Sequence, residues 1–179
     1  KDELKKGNMI IGIDNLNNYY DKKIKISRLK ILKKYKNFIF FKMSLLDDNF
    51  YKSLKKYYNN IEYIIHLAGQ AGVRHSIKYP EEFIKNNILA YIKLLEFFKL
   101  SKKLKFLFYA SSSSVYGEKN SNKKSFFSNN RPISVYAASK ISMELISNTY
   151  SYLYNKNLIG LRFFTVFGPW GRPDMAYFK

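Results

Sequence analysis

Tyr136 and Lys140 stand four residues apart in VYAASK, a spacing that puts both on one face of a helix. An ammonium beside a phenol favours the phenolate, which makes the tyrosine a usable general base near neutrality. Spacing alone says little, because Tyr19/Lys23, Tyr51/Lys55 and Tyr152/Lys156 repeat it in a chain rich in both residues. For those three pairs a solvated helix face is the plain reading. Tyr136 differs in its neighbourhood. Ala137, Ala138 and Ser139 are small enough to let a flat ligand approach. Upstream, ASSSSVYG (Ala110 to Gly117) places four hydroxyls directly after the apolar run LKFLFYA.

Other chemistry-bearing residues read more plainly. His66 and His75 lie on different elements without a third ligand at metal spacing, so core packing and surface are the default readings and no metal is expected. Asp47 and Asp48 read as a helix N-cap rather than a catalytic pair.

The elements that must position these groups follow from the apolar pattern. MIIGI (9–13), closed by Asp14 and Asn15, reads as a buried strand, as do NFIFFKM (37–43), residues 63–67, 104–110 and 159–164. Residues 22–35 and 49–58 read as helices. A further helix opens at Pro80, where proline suits a first turn, and runs to about Lys99. After a polar loop over 118–131, a helix covers roughly 134–154. Apolar strands alternating with helices describe βαβ units on a parallel sheet. Such sheets bind ligands past the carboxyl ends of their strands. The residues found there are Asp14-Asn15, Met43-Ser44, the small segment AGQAG (68–72), the serine run and Thr165. The serine run therefore reads as part of a site rather than a linker.

Composition bounds the function. The 179 residues are enough for one domain with a real core, and 46% hydrophobic with 18% aromatic residues argues against disorder. Cysteine is absent, which removes disulfides and thiolate metal sites and fits a reducing, cytoplasmic setting. No apolar run approaches the roughly 20 residues of a membrane span, so no membrane partner is expected. The net charge of +19 invites a nucleic-acid reading, but the lysines are scattered, and no specific nucleic-acid site is expected. A basic polyanion- or partner-binding protein is the non-enzymatic alternative.

HLAGQAGVR, ASSSSVYG, YAASK and RFFTVFGPWGRPDMA, in that order, resemble the extended short-chain dehydrogenase/reductase group, the NAD-dependent epimerase/dehydratase family. The resemblance is closest to its UDP-glucuronate 4-epimerases. It implies a Rossmann-like, doubly wound α/β fold, NAD as cofactor and a nucleotide-sugar substrate. Tyr136 matches the base that takes the proton of the sugar 4-hydroxyl. Lys140 matches the lysine that tunes it and holds the nicotinamide ribose. Ser112 matches the hydroxyl that orients the 4-oxygen. Asp14, followed by Asn15, matches the acid that holds the adenosine ribose and disfavours a 2′-phosphate. Ala68, Gly69 and Gln70 match the segment passing close to the dinucleotide, and Asn87 matches a recurrent asparagine, structural or near the cofactor. Ser113, Ser114 and Thr165 resemble the set that meets the 6-carboxylate of a uronate, with Arg172 pairing the acid or the diphosphate. A homodimer through the helices carrying Pro80 and Tyr136 is implied as well.

Departures from the pattern are equally legible. The Gly-x-x-Gly-x-x-Gly phosphate turn of the family is not found in these residues, and Ser44 replaces the aspartate that usually touches the adenine. Residues 1–179 are therefore expected to be a partial NAD-binding domain, lacking the first strand with its glycine turn and the C-terminal substrate region. Taken alone, the chain is expected to bind NAD weakly or not at all and to show no epimerase activity. A dehydratase or decarboxylase on the same scaffold, and an inactive copy, are the alternatives. A dehydratase would normally carry Asp-Glu where Ser113-Ser114 stand.

Overall fold

The five apolar runs all become strands, and every pairing among them is parallel. The computed structural model describes residues 1–117, 131–171 and 173. Contacts divide the chain into two units, residues 1–44 with 165–179, and residues 45–164.

The first unit carries α1 (Asp2–Lys5), β1 (Ile10–Ile13), α2 (Lys22–Leu32) and β2 (Phe38–Phe41). β1 pairs with β2 from Ile10↔Phe38 to Ile13↔Phe41. Asp21 caps α2, its side chain accepting from Lys23 N at 2.8 Å. Asn37 Nδ2 donates to the carbonyls of Leu4 (3.0 Å) and Asn8 (2.7 Å), tying α1 to the start of β2.

The second unit carries α3 (Asp48–Leu54), β3 (Tyr63–His66), α4 (Val73–Lys78), α5 (Pro80–Phe83), α6 (Ala90–Phe98), β4 (Phe106–Ser112), α7 (Val135–Tyr154) and β5 (Leu158–Phe163). β4 is central, with β3 on one side and β5 on the other. Asp47 caps α3 by accepting from Asn49 N at 2.9 Å, as expected of it, and Asp48 pairs with Lys93. The helix expected from Pro80 to Lys99 is helical throughout, but between α5 and α6 the segment Ile84–Leu89 is wound as a π-helix. Such widened turns concentrate at functional sites, and the fully buried Asn87 lies within this one. Ser134 caps α7, its Oγ accepting from Ala137 N at 3.1 Å. The helix stops at Asn155, which takes the left-handed conformation favoured at helix ends. Phe50, Phe83, Tyr91, Leu95, Leu107, Val115 and Met143 form the buried core.

The parallel pairings expected from the sequence are present, in the orders β1-β2 and β3-β4-β5. The short α4 is not expected from the sequence; six residues with only Val73 and Ile77 apolar are too short a window to give a helix signal. The polar loop expected over 118–131 lies outside the described residues, apart from Arg131. Among the described residues, no helix is long and apolar enough to cross a membrane.

Candidate active site

The four serines at the end of β4 have different local roles. Ser111 is buried, and its hydroxyl donates to Glu144 Oε1 at 2.5 Å. Ser112 Oγ accepts from Ser114 N at 3.2 Å, capping a 3₁₀ turn over Ser113–Tyr116. The Ser112 oxygen is thereby fixed while its proton can still be donated. Ser113 and Ser114 are half-buried on that turn. The turn closes at Gly117, with φ of 69°, where a Cβ would lie 2.2 Å from the Arg131 carbonyl oxygen; only glycine fits.

α7 delivers the phenol and the ammonium. Tyr136, in its first turn, packs edge-on against the buried Phe83 ring, with centroids 6.0 Å apart. Lys140 is 5% exposed, with Nζ 5.9 Å from the centre of the Tyr136 ring. That ammonium donates to the Ala110 carbonyl at 2.9 Å, two residues before Ser112. A single ion–dipole bond thus ties the base-bearing helix to the hydroxyl-bearing strand. Burial pushes the Lys140 ammonium down to about 8.

The small-residue segment after β3 is held by Asn87. The fully buried Asn87 accepts from Gln70 N at 2.6 Å and donates from Nδ2 to Gln70 O (3.0 Å) and Ser139 Oγ (2.9 Å). Ser139 in turn donates to the Tyr136 carbonyl at 2.7 Å. Of the two roles open to Asn87 from the sequence, its contacts here are those of a clamp between the AGQ segment and α7. A Cβ on Gly69 would come within 2.8 Å of Asn87 Oδ1 and 3.7 Å of Lys140 Nζ, so bulk at this position would displace the clamp. Ala68 and Gly69 are exposed, and Gln70 is buried.

His66 ends β3 beneath this site. It is 4% exposed and stacks on Tyr91 with centroids 5.1 Å apart. Burial first, and the nearby Lys140 charge second, push its imidazole down to about 3, so it is neutral at physiological pH. His75 pairs with Glu82 at 3.0 Å. Among the described residues no group of three or more His, Cys, Asp or Glu could hold a metal ion.

In the first unit, Asp14 follows β1 and its Oδ1 accepts from Leu16 N at 2.6 Å, with Lys25 Nζ 3.8 Å away. Asn15 Oδ1 accepts from Asn17 N at 3.1 Å. These Asx turns fix the strand end with its carboxylate half in solvent. Thr165 is exposed, two residues past β5. Arg172 lies outside the described residues. The second unit therefore brings together Tyr136, Lys140, Ser112 to Ser114, the Ala68–Gln70 segment and Asn87, whereas Asp14, Asn15 and Thr165 belong to the first.

Three residues of the site neighbourhood, Ser111, Glu144 and Arg162, were not singled out by sequence. Arg162 on β5 donates to Glu144 from Nε (2.9 Å) and Nη2 (2.7 Å), a bidentate fork. The only sequence signal was Glu144 one helical turn beyond Lys140.

Chemically, a half-buried phenol, a buried ammonium and a ring of hydroxyls can take a proton from an alcohol and stabilise the resulting oxyanion. In the second unit the exposed Ala68-Gly69 backbone leaves room for a ligand to approach closely, and in the first Asp14 presents a half-exposed carboxylate at a strand end.

Comparison with known proteins bears on this chemistry. The model of the NAD dependent epimerase/dehydratase family matches residues 2–178. Protein CapI of Staphylococcus aureus is 46% identical over 179 residues, covering 98% of this chain and 52% of CapI. UDP-glucuronate 4-epimerase 6 of Arabidopsis thaliana is 44% identical over 177 residues, covering 97% of this chain and 38% of the plant protein. The UDP-glucuronic acid 4-epimerase of Bacillus cereus, solved with UDP-glucuronic acid and NAD, superposes with a TM-score of 0.86 at 32% identity, over 97% of this chain and 54% of the bacterial one. The chain spans about half the length, or less, of the relatives it matches.

Proposed function

This chain belongs to the NAD dependent epimerase/dehydratase family, and on that premise we propose that the protein carrying it inverts C4 of a UDP-linked hexuronate, converting UDP-glucuronate to UDP-galacturonate. The observation that carries the reading is the buried Lys140 ammonium, held by the Ala110 carbonyl between the Tyr136 ring and the serine-bearing strand end.

NAD, when bound, supplies the acceptor and then the donor of the C4 hydride. The Tyr136 oxygen accepts the proton of the 4-hydroxyl as C4 is oxidised to a ketone. The same oxygen would return that proton to the 4-oxygen when the opposite face of the turned sugar is reduced. No net redox change results. Lys140 holds positive charge beside the phenolate throughout. The Ser112 hydroxyl, oriented by its cap on the 3₁₀ turn, donates to the 4-oxygen. Asp14 holds the adenosine ribose. Ser113 and Ser114 meet the 6-carboxylate, which needs several donors at once.

Likeness to the plant and Bacillus UDP-glucuronate epimerases supports the uronate, and Ser113-Ser114 in place of an Asp-Glu pair disfavours a dehydratase. The test is incubation of the intact protein with UDP-glucuronate and NAD, followed by proton NMR of the sugar ring. Appearance of the C4-inverted sugar is expected. Loss of water or of carbon dioxide from the sugar would instead assign a dehydratase or decarboxylase.

A further inference from the structure

Glu144 sits one helical turn beyond Lys140 on α7, and both are turned to the protein interior. Carboxylate and ammonium at this spacing ordinarily attract each other. Here they do not meet. Lys140 Nζ is bonded to the Ala110 carbonyl and contacts Met143 Sδ at 3.7 Å. Both Glu144 oxygens are engaged elsewhere: Oε1 by Ser111 Oγ and Arg162 Nε, Oε2 by Arg162 Nη2. The Arg162 guanidinium lies 4.8 Å from the centre of the Tyr116 ring, the last residue of the 3₁₀ turn that follows the serine run.

We propose that Arg162 and Ser111 are positioning residues that sequester Glu144, leaving the ammonium of Lys140 without a carboxylate partner among the described residues and able to serve Tyr136. The proposal rests on the reading of Lys140 as the residue that tunes Tyr136. Paired with Glu144, Lys140 would leave the Ala110 carbonyl and lose the tie between α7 and β4. Its charge would then be compensated by a carboxylate rather than by a phenolate.

Among the described residues, the charged and titratable groups on the elements packed around α7 near Lys140 are few. Tyr136 and His66 interact with Lys140 directly; Glu144 follows it by one turn of the same helix, and Tyr109 on β4 and Arg162 on β5 interact with Glu144. His66 is neutral, as argued above. Glu144 is the sole carboxylate of this group. Burial alone would raise its carboxyl, but hydrogen bonds from Arg162 and Ser111 outweigh that and hold it ionised, below its ordinary range. Unpartnered, it would be a charge in search of an ammonium.

The test is the titration of Lys140 by carbon NMR of this chain labelled at lysine Cε, with Lys140→Arg identifying the resonance. In Arg162→Met the midpoint is expected to rise by about half to one pH unit, since Glu144 turns to Lys140. In Glu144→Gln it is expected not to rise, because the Arg162 charge remains uncompensated. Arg162→Lys, which keeps a cation at Glu144, should return the midpoint toward wild type. A merely structural fork predicts lower stability in Arg162→Met with the midpoint unmoved, and that result overturns the proposal. So does a rise of equal size in Glu144→Gln. Should Arg162→Met not fold, Arg162→Gln, which keeps polar donors but removes the cation, must still raise the midpoint, and a wild-type value there is equally fatal. The readout needs neither NAD nor sugar, so it can fail while the epimerase reading stands, and the converse also holds.

Discussion

The Lys140 ammonium donates to the Ala110 carbonyl at 2.9 Å, joining the helix that begins with Tyr136 to the strand that ends in Ser112. A buried ammonium with a single backbone acceptor is costly for the fold, and that cost has a measurable pH signature.

Lys140 is held near pKa 8 when folded, against an ordinary value of 10.5. Between these values the unfolded chain carries the extra proton, so stability rises with pH across that window, by at most about 3 kcal/mol. Chemical denaturation at several pH values should show the rise in the wild-type chain. Lys140→Met should flatten it and be the more stable protein at pH 7.

His66 gives the acid counterpart. Its folded value of about 3 lies below the ordinary 6.5, so stability is lost as pH falls through that interval, with a ceiling of about 5 kcal/mol. His66→Phe, which can keep the stack on Tyr91, should lose less stability than wild type between pH 6.5 and 4 in the same denaturation assay. Identical acid profiles would mean that His66 is not the buried neutral group described here.

Asn87 joins the AGQ segment to α7 through three hydrogen bonds, all buried. Asn87→Ala strands the Gln70 backbone groups and should cost about 2–4 kcal/mol in denaturant unfolding. Gly69→Ala, whose added methyl meets Asn87 Oδ1 at 2.8 Å, should be destabilising in the same direction.

Much of this arrangement is legible in the sequence, and what is not has physical causes. Five apolar runs announce the strands, and Ser134 announces the start of α7, because burial period and capping are local signals. The π-wound segment at Asn87 is invisible, since its bonding partners Gln70 and Ser139 lie 17 and 52 residues away. The serine run reads as one cluster of hydroxyls, yet strand alternation gives Ser111 to Glu144 and leaves Ser112 to cap the turn. The Glu144–Arg162 fork pairs a helix with a later strand, and nothing local in either stretch predicts it.

If Ser113 and Ser114 meet a uronate carboxylate, their loss should discriminate between sugars. In the intact protein, Ser113→Ala/Ser114→Ala should lower kcat/KM for UDP-glucuronate by about tenfold or more, about 1.4 kcal/mol or greater, as expected for lost hydrogen bonds to a charged group. Any residual turnover of UDP-glucose should change little. Equal losses on both sugars would place these serines in loop support only.

The most direct measurement of the central claim is turnover of UDP-glucuronate by the intact protein and its Tyr136→Phe variant, with folding checked by circular dichroism. The account predicts a folded variant with kcat lowered by about 100-fold or more, the usual worth of a positioned general base. A variant within a few-fold of wild type would contradict it.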